Sequence, residues 1–241
     1  MCIMHYVLLK FHFVGHHAGM ANRKVKIVSK QIRIDFVSDV SCPWCVICLK
    51  SLEQALENVG DAASAELHFQ PFELNPQMAP EGQDIGEHLA EKYGASVDQR
   101  AATSEMIRAR GAELGFEFNA RERIYNTFDA HRLLHWAGEH GLQRALKMAL
   151  FNAYFPAGES PASHAVLLRL AANVGLDPAE AARILESDAW AVEVREREQL
   201  FQRHGITSVP AIIINQRHLI SGGQPPEVFE QALRQILAAE D

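Results

Sequence analysis

The sequence predicts an α/β fold in which a central mixed β-sheet flanked by helices is split by a large inserted all-α domain. Strand-type alternation appears near residues 30 and 70 and again after residue 210, with helical periodicity from Ile85 to about His204. Two strands and one helix at the C-terminal end cannot close a core alone, so they must pack on the N-terminal half.

Val25, Ile27, Ile32, Ile34 and Phe36 alternate and end in the turn-prone Ser38-Asp39, which reads as a strand. After Ser41-Cys42-Pro43-Trp44-Cys45, residues Val46, Leu49, Leu52, Leu56 and Val59 recur at helical spacing, with Gly60 as a stop signal. Ala65 to Phe72 alternates again, and its return over the helix makes a βαβ unit. From Ile85 to about His204 amphipathic helices follow one another, punctuated by glycines and Asp177-Pro178. No strand is expected there, and Phe116 to Phe118 is ambiguous. Ala211 to Asn215 and His218 to Ser221 form an antiparallel pair joined at Gln216-Arg217, and a last helix runs from Pro226 to about Ala238. This order suggests a thioredoxin-type sheet. Residues 1–30 are then an N-terminal extension, 31–80 the first (βαβ) half, 81–190 the inserted helical domain and 191–241 the second (αββα) half.

Composition narrows the function. With 48% hydrophobic and 22% charged residues in 241, the chain has material for a sizeable core. A net charge of −7 argues against a nucleic-acid partner, since such proteins concentrate basic charge. Arg121 to Arg123 and Arg195/Arg197 are interleaved with glutamate and read as solvated helix faces. No apolar run approaches the roughly 20 residues that span a bilayer, so no membrane partner is expected. Tyr6 to Val14 is apolar, but the basic residues Arg23, Lys24, Lys26 and Lys30 follow it instead of preceding it, which argues against an export signal. Met20 opens an alternative start, and residues 1 to 19 are set aside from the fold argument.

Three of the four cysteines, Cys42, Cys45 and Cys48, stand at three-residue intervals. They fit a redox dithiol with a bystander, three metal ligands, or thiols filling a buried helix face. The strand-to-helix position places Cys42 at a helix N-terminus, where unpaired N–H groups and the dipole favour a thiolate. Cys42 is then the exposed nucleophile, and Cys45, one turn on, the buried resolving thiol. Pro43 suits the first helical position because its missing donor costs nothing there. Trp44 completes an uncharged dipeptide, so any thiolate stabilisation rests on backbone donors. Val209-Pro210 opens the strand at Ala211; a proline there suits an edge strand, and an X-Pro bond in a tight turn is a candidate for cis. Facing the dithiol, the Val209 backbone would hold an extended substrate chain.

The segments SDVSCPWC, Phe72 to Pro76 (FELNP), Asn126 to Leu134 (NTFDAHRLL), Phe151 to Phe155 with Gly158, TSVPAIIIN and ISGGQPPEVF together resemble the DsbA-like thioredoxin family, in particular its cytoplasmic FrnE-like branch. The resemblance covers roughly Ile32 to Leu237 in order. It implies a thioredoxin fold with an inserted helical domain and a thiol-disulfide oxidoreductase, with Cys42 and Cys45 as the redox pair and Pro210 as the cis-proline. It also implies that Asn75, Asn126 and His131 approach the active-site cleft. Partners would be protein or small-molecule thiols and disulfides, met in the cytoplasm by a monomer or homodimer. No bound cofactor is implied, and glutathione is the candidate co-substrate.

Other readings stay open on the residues alone. A metal site lacks a fourth ligand at iron–sulfur spacing, and zinc would need a distant histidine, which twelve histidines supply by coincidence. Cys48 reads as a buried small hydrophobe or a secondary redox thiol. His131 reads as a satisfied helix residue or a proton donor, and Asp39 as a turn or cap residue before a buried proton acceptor. A glutathione-dependent isomerase or transferase of the same architecture would carry serine at position 42. A peptide-binding chaperone would use the Val209-Pro210 groove without either cysteine.

Overall fold

The computed structural model of the protein describes residues 29–79 and 81–239. Cys2, the Tyr6 to Val14 run, Met20, Val25 and Ile27 lie outside the described residues.

In chain order the elements are β1 (Lys30–Ser38), α1 (Pro43–Val59), β2 (Ala63–Pro71), β3 (Gln83–Asp84), α2 (Ile85–Tyr93), α3 (Val97–Glu113) and β4 (Arg123–Ile124). There follow α4 (Phe128–Glu139), α5 (Gln143–Tyr154), α6 (His164–Asn173), α7 (Pro178–Leu185), α8 (Ala191–Arg203), β5 (Ala211–Ile214), β6 (His218–Ser221) and α9 (Pro226–Ala239). The main sheet has the order β2-β1-β5-β6. β2 runs parallel to β1 with Phe36 opposite Phe69, while β5 is antiparallel with Phe36 opposite Ile212. The two halves of the sequence therefore share one sheet, as the patterning predicts.

Three local expectations are corrected, and the ambiguous Phe116 to Phe118 is resolved. A short strand pair does occur inside the helical stretch, Gln83 opposite Ile124 and Asp84 opposite Arg123. Two residues per strand are too few to leave a period-2 signature. Phe116 and Phe118 form no strand but stack with Phe155 in an aromatic cluster, at centroid distances of 4.9, 6.3 and 5.1 Å. α3 meets this cluster through Gly111, where a Cβ would lie 2.4 Å from the Phe118 ring. β5 ends at Ile214, because Asn215 and Gln216 take positive φ of 50° and 56° and the turn closes with Arg217 N donating to Ile214 O at 3.1 Å. Asparagine tolerates that conformation, and its Oδ1 accepts the Arg33 backbone N–H at 2.9 Å. β5 is also an internal strand, not an edge; Pro210 stands just before it, and its carbonyl accepts from Gly222 N at 2.9 Å.

Two apolar cores meet at the helical stretch. One gathers Ile32, Ile34 and Phe36 of β1, Val46, Leu49 and Leu52 of α1, and Phe229 and Leu233 of α9. The other gathers Leu133, Leu146, Leu150, Leu167, Leu170 and Ile184 from α4 to α7, together with Val40 from the turn after β1. α5 serves both, sending Phe151 and Tyr154 to the first and Leu146, Leu150 and Ala153 to the second. That shared helix fixes the helical stretch against the β1–α1 turn, where the cysteines lie.

Candidate active site

α1 begins at Pro43 in its first turn, with Cys42 as the N-cap residue in extended conformation. Cys42 makes no side-chain capping bond, so its sulfur stands at the N-terminal end of the helix with the first-turn N–H groups uncapped by any side chain. No acidic side chain occupies that turn to oppose a thiolate. Cys45 N donates to Cys42 O at 3.1 Å, tying the two cysteines into one turn. Cys42, Cys45 and Cys48 are free thiols.

Facing Cys42 is the Val209–Pro210 peptide bond, which is cis. Cys42 Sγ lies 4.0 Å from Val209 O. The loop after β6 closes the other side: Gly223 sits so near Trp44 that a Cβ there would be 3.0 Å from Cε3, and Arg110 of α3 reaches Gly223 O at 3.4 Å. The expected exposure of Cys42 is corrected. The residue is only 4% accessible, against 0% for Cys45 and Cys48, because half-buried Val209 and Trp44 pack on the same apolar cluster. A cap position predicts where a sulfur stands along the helix, not what leans over it.

Beneath the dithiol the site is charged. Asp39 is fully buried and closes the turn into α1, its Oδ1 accepting from Ser41 N at 3.1 Å and its Oδ2 from Leu74 N at 2.7 Å. His131 Nε2 lies 3.7 Å from Asp39 Oδ1. Burial pushes the Asp39 carboxyl up, but His131 and the two backbone donors together outweigh it, and the carboxyl ends below its ordinary value. The turn role read for Asp39 thus coexists with deep burial. Lys147 of α5 is 0% accessible, and its Nζ, 5.1 Å from the Phe151 ring centroid, has no hydrogen-bond partner. Burial brings its ammonium down to about 8, against the opposing pull of Cys45, Asp39 and Cys42.

The thiols respond to the same surroundings. Burial, then neighbouring Cys42, push Cys45 well up, and Lys147 and the Asp39 backbone pull it partly back. Burial and the Cys42 charge also push Cys48 well up; its sulfur lies 3.7 Å from Gly222 O.

The remaining expected residues scatter. Asn75 is half-buried beside the turn, its Oδ1 accepting from Lys92 Nζ at 2.6 Å, and the same ammonium bonds Leu74 O at 2.6 Å. Asn126 Oδ1 accepts Phe128 N at 2.8 Å, so it caps the entry to α4. His131, at 3% accessible, reaches Asp39 from beneath the turn and does not line an open cleft. Arg121 is no solvated helix face: its guanidinium lies over Tyr154 and Phe155 at 4.9 and 4.6 Å. Arg195 likewise covers Phe128 at 3.9 Å and bonds both Glu73 and Glu198, carboxylates that are buried. Burial and Glu198 raise Glu73.

Lys147 is the residue sequence reasoning missed. It stands within the stripe Leu146, Leu150, Phe151, Ala153 and Tyr154, the other buried positions of α5. A lysine interrupting an apolar stripe is the signal that could have found it.

Comparison with known proteins agrees with this geometry. The family described as the DSBA-like thioredoxin domain matches residues 33–234. A probable DsbA oxidoreductase from Streptomyces coelicolor is 35% identical, with a TM-score of 0.82 over 87% of this chain and 91% of that one. The Bacillus subtilis protein YwbO, itself uncharacterised, is 26% identical over 84% of this chain and 96% of its own length. The cytosolic disulfide reductase DsbM from Pseudomonas aeruginosa, solved with glutathione, shares the fold at 19% identity and a TM-score of 0.59, covering 86% of this chain and 99% of that one.

Proposed function

Because the chain belongs to the DSBA-like thioredoxin domain family, we propose that it exchanges disulfides with protein or small-molecule thiols through Cys42 and Cys45. The observation that carries this reading is Cys42 at the cap of α1, 4.0 Å from the Val209 carbonyl, with Cys45 one turn behind and its backbone N–H bonded to Cys42 O. The Cys42 sulfur attacks one sulfur of a substrate disulfide, and the other leaves as a thiol. Cys45 then attacks Cys42 and releases the second substrate thiol, leaving the protein as the disulfide. The reverse sequence oxidises a substrate dithiol.

At 4% exposure Cys42 suits a slender partner, an extended chain or a small disulfide, more than a folded surface. The Val209 backbone would receive such a chain edge-on. Glutathione is the small thiol we place in that role, with the cytoplasm as the compartment. A reducing cytosol would hold the pair mainly as the dithiol unless its potential is high.

Trapping tests the reading. In cells, Cys45→Ser should accumulate mixed disulfides on Cys42, whose attached thiols are identified by mass spectrometry. Capture of small thiols alone would favour a glutathione-dependent activity. A protein that binds unfolded chains equally well as Cys42→Ser/Cys45→Ser, with no trapped adduct in Cys45→Ser, would be a chaperone instead.

A further inference from the structure

Arg110 of α3 is a half-buried cation that nothing else in the fold employs. Its polar contact is Nη2 to Gly223 O at 3.4 Å, at the outer limit of a hydrogen bond, and among the described residues no carboxylate or aromatic ring pairs with it. The other half-buried arginines are committed. Arg33 and Arg195 bond carboxylates, Arg100 and Arg123 bond carbonyls, and Arg121 lies over two rings. A guanidinium carries five N–H donors and keeps its charge at any physiological pH, so Arg110 has most of its bonding capacity to give.

The side chain is held at the rim of the mouth. Ile107, one turn before it, packs on the apolar cluster that holds Cys42, Trp44 and Val209, and residues three apart share a helix face. Gly111, the next residue, is buried against Phe118, which fixes the end of α3. Gly223, whose carbonyl Arg110 reaches, comes so close to Trp44 because it has no side chain. The cation therefore stands just beyond Trp44 and Gly223, outside the neutral ring of groups around Cys42.

We propose that Arg110 is a specificity-determining residue of the exchange reaction, taking a carboxylate that lies next to the reacting cysteine of the substrate. The inference rests on the dithiol-exchange reading. A chain of net charge −7 repels an acidic substrate at long range, so selection for one needs a local reversal of sign at the mouth. The first turn of α1 places no acidic side chain there in competition. The planar guanidinium fork matches a carboxylate with two parallel bonds, better than it matches the single long contact to Gly223 O. Such a carboxylate is a neighbouring Asp or Glu in a peptide, or a terminal carboxylate of glutathione.

Reduced wild type, Arg110→Gln and Arg110→Lys are oxidised by matched disulfides, and single-turnover rates are read by alkylation of Cys42 over a range of substrate concentrations. One pair is glutathione disulfide and its tetraethyl ester. The other is a short peptide disulfide with Glu or with Gln beside its cysteine. At subsaturating concentration wild type should react about tenfold faster with the acid of at least one pair, the worth of one charge-assisted hydrogen bond, and added salt should shrink that ratio. Arg110→Gln should abolish the preference through the half-saturating concentration more than the limiting rate, and Arg110→Lys should keep part of it. A preference confined to the first pair identifies a glutathione carboxylate, and one confined to the second a peptide side chain; either supports the proposal. Equal rates for acid and neutral forms in wild type overturn it, whether or not the variants fold. So does an equal fall for both forms in Arg110→Gln, the mark of a guanidinium that only holds Gly223. Wild type that none of these disulfides oxidises overturns the exchange reading itself.

Discussion

The two faces of the site are built from opposite materials. The mouth consists of Cys42, Pro43, Trp44 and the Val209–Pro210 peptide, with no charged side chain in the first turn of α1. The floor consists of Asp39, His131 and Lys147, all buried, with Glu73 and Glu198 held by Arg195 beyond. The mouth comes from two short segments that announce themselves locally. The floor is assembled from the turn between β1 and α1, α4 and α5, three places with no local reason to meet. The difference teaches that a dithiol framed by neutral groups can still have buried charge on the turn behind it. A low-dielectric setting strengthens it there relative to a solvated position.

The largest effect expected from breaking this contrast is at Asp39. Asp39→Asn leaves His131 and Lys147 without their carboxylate, and should cost about 3 kcal/mol at pH 7. The sign with pH follows from its lowered folded value. The stability Asp39 contributes is complete above the unfolded value near ~3.9 and lost as pH falls through the folded one, so the deficit should shrink in acid. Urea unfolding of both proteins at pH 7 and pH 3 measures it. Equal deficits at both pH values would mean that the cap geometry, not the charge, was lost.

Lys147→Met should act in the other direction on stability. Replacing a buried, unpaired ammonium by an apolar chain of similar length should stabilise the fold at pH 7 by about 1–3 kcal/mol. The folded amine titrates at about 8, below the ordinary lysine value of 10.5. Across that window the unfolded state binds more protons, so wild-type stability should rise with pH and meet the variant's near its upper end. Denaturant midpoints at pH 7, 9 and 10 check this.

Sharpening the mouth should matter less. Trp44→His places a cation or donor beside Cys42 and should raise the reduction potential by ~30 mV, about 1.4 kcal/mol for a two-electron couple. Equilibration against glutathione reads it. A shift far larger would move control of the dithiol from the floor to the mouth. The smallest effect is expected at Cys48, whose sulfur is buried near Gly222 O away from the Cys42–Val209 face. Cys48→Ala should cost about 1 kcal/mol in a melt and leave insulin-reduction rates unchanged. A loss of turnover would restore the secondary redox reading.

The sequence by itself determined the sheet strands β1, β2, β5 and β6, the cap of α1, the pairing of Cys42 with Cys45 in one turn and the loop that faces them. Each is a local signal: a period of 2, a period of 3.6, a proline, a stop at Gly60. It could also show that Lys147 interrupts an apolar stripe, but not which group that lysine would meet. Helical periodicity tells which face is buried and is silent on the partner, because the partner is chosen by the packing of distant elements. Only the tertiary structure decided that Cys42 is covered, that β5 is internal, that His131 reaches Asp39 from beneath, and that α5 buries its lysine beside His131. The physical reason is that burial and electrostatic interaction depend on distances across the fold, and residues 39, 131 and 147 become neighbours only when the two cores close on one another.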